Sequence, residues 1–106
     1  MKDNLVVLCT CPDRDQAGLI ARSLVEQRLA ACVQTVGPIE STYWWNDKVE
    51  TANEILLLIK TTGARFEDVK GKIQALHTYE VPEIVALPIE AGSEQYLAWL
   101  GSQIGE

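Results

Sequence analysis

Two strand-like stretches, Ala31 to Trp45 and Lys48 to Thr61, face each other across Asn46-Asp47, a pair that tolerates the left-handed backbone of a two-residue hairpin turn. Each arm runs to about 14 residues, where five or six is usual, so the end of the hairpin must project beyond one small core. Gly37-Pro38 interrupts the first arm and marks a bulge or bend. Tyr43, Trp44 and Trp45 crowd the far end. Strand alternation sends Trp44 and Trp45 to opposite faces, so they cannot fill one core together, and at least one is expected to meet a neighbouring chain.

The remaining pattern fixes the order of elements. Asn4 to Cys11 contains the run Leu5-Val6-Val7-Leu8, too short for a helix and suited to a strand covered on both faces. Asp13 is placed to cap a helix from about Asp13 to Gln27, with Gln16 at capping-box spacing and Ala17, Ile20, Ala21, Leu24 and Val25 forming the buried stripe. A second helix fits Ala64 to Leu76 through Phe66, Val69, Ile73 and Leu76, with Thr62 as its cap. His77 to Glu83 reads as a loop, Ile84 to Ile89 as a short strand ended by Pro88, and Ser93 as the cap of a last helix carrying Tyr96, Leu97, Leu100 and Ile104. The order βαββαβ plus a final helix predicts an α+β, ferredoxin-like split βαβ fold over 1–106 as one domain. Both crossover helices would lie on one face of an antiparallel sheet. The other face stays bare unless something packs on it.

Composition removes several function classes. Hydrophobic residues make up 47% and charged residues 23% of the 106, an ordinary globular balance. Nine Lys and Arg against fifteen Asp and Glu give a net charge of −6, a field that repels nucleic acid and anionic membrane. No apolar run approaches the roughly 20 residues of a membrane span. Met1-Lys2-Asp3-Asn4 leads straight into a strand without a cleavage signal, and three cysteines are an odd set, so a cytoplasmic protein with reduced thiols is expected.

Chemistry has few places to reside. Cys9 and Cys11 alternate with Thr10, which puts both thiols on one strand face with Cα atoms about 6.6 Å apart. Soft donors there suit Cu(I) or Zn(II), with His77, the only histidine, as a third ligand. All three cysteines are also readable as small buried hydrophobes, and a histidine directly after a helix is favoured there by the helix dipole. Cys32 opens a strand that is not adjacent to the first. Glu80 and Glu83 form a carboxylate pair, but no nucleophile elbow, phosphate-cradling glycine loop or triad accompanies them. An enzyme is not expected.

Separated segments carry a resemblance over Val6 to Leu100. They are Leu8-Cys9-Thr10 with Pro12-Asp13, Leu29-Ala30-Ala31-Cys32-Val33, Ser41-Thr42-Tyr43-Trp44-Trp45, Leu57-Leu58-Ile59-Lys60-Thr61 and, most specifically, His77-Thr78-Tyr79-Glu80-Val81-Pro82-Glu83-Ile84. With these the chain resembles the CutA family of divalent-cation tolerance proteins. The resemblance implies a tight homotrimer that binds copper or another divalent metal through Cys9 and His77. It also implies clefts between subunits lined by Tyr43, Trp45, Lys48, Lys60, Tyr79 and Glu83, able to hold a small anionic or zwitterionic ligand. In architecture the family resembles trimeric PII signalling proteins, so a small-ligand sensor is the alternative. Three positions depart from the family's pattern: Thr78 replaces a proline, Leu76 a second histidine found in some members, and Asp47 a turn glycine.

Overall fold

The computed structural model describes residues 4–105, so the opening residues on which the absence of a leader was read lie outside the described part. The elements are β1 (Asn4–Cys11), α1 (Arg14–Glu26), β2 (Cys32–Trp45), β3 (Lys48–Thr62), α2 (Phe66–Leu76), β4 (Val85–Pro88) and α3 (Glu94–Gln103). The sheet runs β2-β3-β1-β4, every neighbouring pair antiparallel. This is the order expected of a split βαβ arrangement, with β1 inserted between strands that the crossovers join.

The hairpin turns on Asn46 and Asp47, both with positive φ (51° and 63°), and Trp45 pairs directly with Lys48. Its two long arms stretch the molecule to 44 × 25 × 21 Å. The accessible surface is 6770 Å², above the roughly 5,900 Å² that mass scaling gives for a compact chain of this size. Between Val36 and Ile39 the register slips: Gly37 and Pro38 together stand opposite Ile55, forming the expected bulge.

One face of the sheet carries the core. Val7, Cys9 and Cys11 of β1 and Ile55, Leu57 and Ile59 of β3 pack against Ala17, Ile20 and Leu24 of α1 and Val69 and Ile73 of α2. The opposite face presents Val6, Leu8, Leu56 and Leu58, flanked by exposed Val36, Val85 and Leu87. Near the base of the hairpin, Tyr96 of α3 meets Lys60 on that face. Elsewhere that face is only partly covered, with Val6, Leu8, Leu56 and Leu58 half-buried.

Local differences from the sequence reading have identifiable causes. Val25, expected in the buried stripe of α1, is 40% exposed because it lies at the helix edge beyond the sheet's cover. The segment before α2 closes as a 3₁₀ turn over Gly63–Arg65, and Thr62 makes no side-chain cap bond. β4 is shorter than read, although the Ile89 amide still donates to the Asn4 carbonyl at 2.9 Å. Asp13 does cap α1: Oδ1 accepts from the Gln16 amide at 2.9 Å. Asp13→Ala is expected to cost about 1 kcal/mol of stability, read as a lowered midpoint in urea unfolding with an unchanged slope. A midpoint equal to the parent's would mean that this bond contributes nothing net.

Candidate metal centre

Cys9 and Cys11 close β1 with both thiols on the core face and no solvent exposure. β4 pairs with β1 only from Leu5 to Leu8, so Thr10 lies beyond the end of that ladder. His77, the residue that ends α2, fills the gap. Its Nε2 lies 2.8 Å from the Thr10 carbonyl oxygen, and its Nδ1 accepts the Tyr79 amide at 3.0 Å. These partners fix the tautomer, since a carbonyl requires a donor and an amide requires an acceptor: Nε2 carries the proton. The Cys9 sulfur, the Cys11 sulfur and a His77 ring nitrogen all lie within 4.8 Å of one another. Cys32 is outside this group, half-buried at the start of β2.

The loop holding the histidine is tied down on both flanks by a residue that sequence reasoning assigned elsewhere. Gln16 was expected to complete a capping box, but its side chain is buried and turned inward. Its Nε2 donates to the Leu76 carbonyl at 3.3 Å and its Oε1 accepts the Thr78 amide at 2.7 Å. Tyr79 stacks on the His77 ring at 4.6 Å between centroids and donates its phenol proton to Glu54 Oε2 at 2.8 Å. Glu54 had a readable signal: it is the acidic residue two places before Leu56 and four before Leu58 on the same strand face. Among the described residues no buried side-chain nitrogen or oxygen lacks a partner.

Electrostatics sets the two thiols apart. The Cys9 thiol has the Cys11 sulfur and the Thr10 carbonyl, at 3.8 Å, within reach. Its pKa is pushed far above the ordinary thiol range, first by hydrogen bonding with Cys11, then by burial and by the charges of Cys11, Glu83 and Glu54. Cys11 moves the other way, because the Cys9 hydrogen bond stabilises its thiolate against opposing burial and the Asp13 and Glu54 charges. Burial, the bond to Glu54 and that carboxylate's charge raise the Tyr79 phenol as well. The donor set of two sulfurs and an imidazole suits a soft or borderline metal.

The six residues implied for an inter-subunit cleft are spread over the chain. Alternation places Lys48 and Lys60 on the bare face of β3, with Trp45 opposite Lys48 and Tyr43 opposite Glu50 across the hairpin. Lys48 and Lys60 are at opposite ends of β3, about 40 Å apart by strand rise. One chain therefore does not bring the six together. Lys60 Nζ sits 5.7 Å from the centre of the Tyr96 ring, Tyr79 reaches Glu54, and Glu83 is exposed before β4.

A family model described as CutA1 divalent ion tolerance protein matches residues 5–103, the whole of this centre included. The chain belongs to the CutA1 family. A divalent-cation tolerance protein CutA from Thermus thermophilus is 50% identical over 100 residues, covering 94% of this chain and 97% of that one. The solved CutA1 from Oryza sativa superposes with a TM-score of 0.95 at 41% identity, over 98% of this chain and 95% of the other. The chloroplastic CutA of Arabidopsis thaliana is 45% identical over 97 residues, which are 92% of this chain but 53% of that protein. Within the CutA1 match, the sheet order and the segment around His77 are the features that the sequence resemblance implied.

Proposed function

We propose that this CutA1 chain binds a metal cation, copper foremost, at the Cys9–His77 end of its sheet, and that this binding is its contribution to divalent-cation tolerance. The convergence of Cys9, Cys11 and His77 within 4.8 Å carries the reading. Buried sulfur and imidazole donors favour soft and borderline ions over calcium or magnesium, which take oxygen ligands. The family description, tolerance of divalent ions, points the same way.

The working form is a homotrimer. Its support is the bare face: Leu56, Leu58, Leu8 and Val6 make a contiguous apolar row, continued by a hairpin whose Trp44 and Trp45 are 74% and 62% exposed. Such a surface is unusual on a chain that works alone. The compartment is the cytosol, where a reducing pool keeps three free cysteines as thiols. No described helix is long and apolar enough to cross a membrane.

Native mass spectrometry of the reduced protein with Cu(I), Cu(II) and Zn(II) tests assembly and metal count together. The expected result is a trimer that takes up metal in threes and loses it in Cys9→Ser. A trimer that retains no added metal would overturn the metal reading, and a monomer at micromolar concentration would overturn the assembly.

A further inference from the structure

Resting on the metal reading above, the geometry points to Cys11 rather than His77 as the second ligand of Cys9, in a two-thiolate site for univalent copper. The chain's own hydrogen bonds carry this assignment. A histidine that is free to ligate has one unprotonated nitrogen without a partner. His77 has none: its Nδ1 lone pair takes the Tyr79 amide at 3.0 Å, and its Nε2 is committed to the Thr10 carbonyl at 2.8 Å.

Whichever nitrogen took a metal, a buried backbone group would lose its partner. Ligation at Nδ1 displaces the Tyr79 amide directly. Ligation at Nε2 strands the Thr10 carbonyl and moves the ring proton to Nδ1, which then faces the Tyr79 amide donor to donor. Leaving a buried donor or acceptor unpaired costs about 1–3 kcal/mol. The loop cannot shift freely to compensate, because Gln16 holds the Leu76 carbonyl on one side of the histidine and the Thr78 amide on the other, while Tyr79 is tied to Glu54.

The thiols are held only by the weak hydrogen bonds of sulfur: Cys9 donates to the Thr10 carbonyl at 3.8 Å, and no backbone amide among the described residues depends on either sulfur. Cys9 and Cys11 sit two residues apart on one strand, both fully buried, with the sulfurs within 4.8 Å. With metal–sulfur bonds of about 2.3 Å, a bridged pair needs roughly 3.8 Å between sulfurs for tetrahedral geometry and roughly 4.6 Å for linear geometry. Neither spacing exceeds the 4.8 Å within which the two sulfurs lie, so ligand number decides. Zinc asks for four donors, often with water completing the set. Here two fully buried sulfurs are available, and the third donor is already bonded. Univalent copper, a soft d¹⁰ ion, is satisfied by two thiolates. It enters as Cu(I) and leaves as Cu(I), each thiol releasing its proton to solvent, so no oxidant or reductant is consumed.

The test uses the reduced protein under anaerobic conditions, titrated with Cu(I) against a competing chelator and separately with Zn(II). Wild type is expected to bind one Cu(I) per chain more tightly than Zn(II). Cys11→Ser is expected to weaken Cu(I) by more than about 100-fold, beyond the roughly 10–100-fold that loss of a supporting contact costs, and His77→Gln is expected to stay within that smaller range. Nitrogen NMR of the His77 ring in the wild-type protein needs no variant. The Nε2–H tautomer and the Tyr79 amide signal should persist on Cu(I) loading. A His77 ring nitrogen shifted to a metal-bound position would overturn the assignment, as would undiminished Cu(I) affinity in Cys11→Ser. Zn(II) or Cu(II) bound while Cu(I) is refused would leave the metal reading standing and sink this one. No uptake of any of the three ions would remove both.

Discussion

Leu57→Ala is expected to lower folding stability by about 3 kcal/mol, within the roughly 2–5 kcal/mol span for buried Leu→Ala changes. For a chain of this length that corresponds to a drop in thermal midpoint of roughly 12–24 °C. Leu57 is fully buried on the central strand β3, directly opposite Cys9, in the cluster that α1 and α2 cover. The covering side chains come from rigid helices and neighbouring strands, so the space left by three missing carbons cannot close. Leu57→Met keeps most of the volume and is expected to cost less than about 1.5 kcal/mol. Thermal and urea unfolding at one fixed protein concentration give both values, concentration being held because assembly would add to apparent stability. A loss under 1 kcal/mol for the alanine variant would show that the core at this point is looser than its complete burial indicates.

Gly37→Ala is the second large effect, expected at about 2–3 kcal/mol. Gly37 has φ of +147°, a region that residues with a Cβ rarely enter, and an added methyl would lie 3.1 Å from the Glu54 carbonyl oxygen and 3.1 Å from Ile55 Cδ1. Backbone cannot move aside as a flexible side chain would. The Gly37 carbonyl also accepts from the Arg14 guanidinium at 2.7 Å, so a distorted bulge would loosen the first turn of α1. Denaturant midpoints report the stability, and hydrogen exchange at the start of α1 reports the loosening. An alanine variant within 0.5 kcal/mol of the parent would mean that the bulge relaxes at little cost.

Most of the architecture was legible because it rests on local chemistry. Asn46-Asp47 specified a left-handed turn, the alternating residues beyond it specified two strands, and Asp13 and Ser93 were read as caps and act as caps. The centre was half legible. A Cys-Thr-Cys strand end puts two thiols on one face by geometry alone, and both are there. That His77 would meet them follows from where α2 ends relative to the short β4, a tertiary fact with no local signature. Gln16 shows the limit most clearly. Three residues after Asp13, its spacing is that of a capping box, and only the folded chain brings the Leu76 carbonyl and Thr78 amide close enough to take its side chain. The six cleft residues were named from resemblance, and register explains why four of them share one face while the chain alone cannot assemble them.

The Gly37-Pro38 bulge has a bearing on how this hairpin can change length. Loops absorb insertions and deletions of any size, whereas a paired strand counts residues in twos. Before the bulge, the even-numbered residues Gln34 and Val36 face away from the helices; after it, the odd-numbered Ile39, Ser41, Tyr43 and Trp45 do. The extra residue is what switches the phase. Loss of Pro38 alone would bring both halves into one register, with Val36 still opposite Leu56, Gly37 alone opposite Ile55 and Ile39 still opposite Glu54, so every residue would keep its face. Removing one residue from each arm near the turn would shorten the hairpin and keep its phase. Along β2, therefore, unpaired single-residue changes away from the bulge should be absent from functional descendants of this chain, while loss of the extra bulge residue and matched changes near the turn remain open to them.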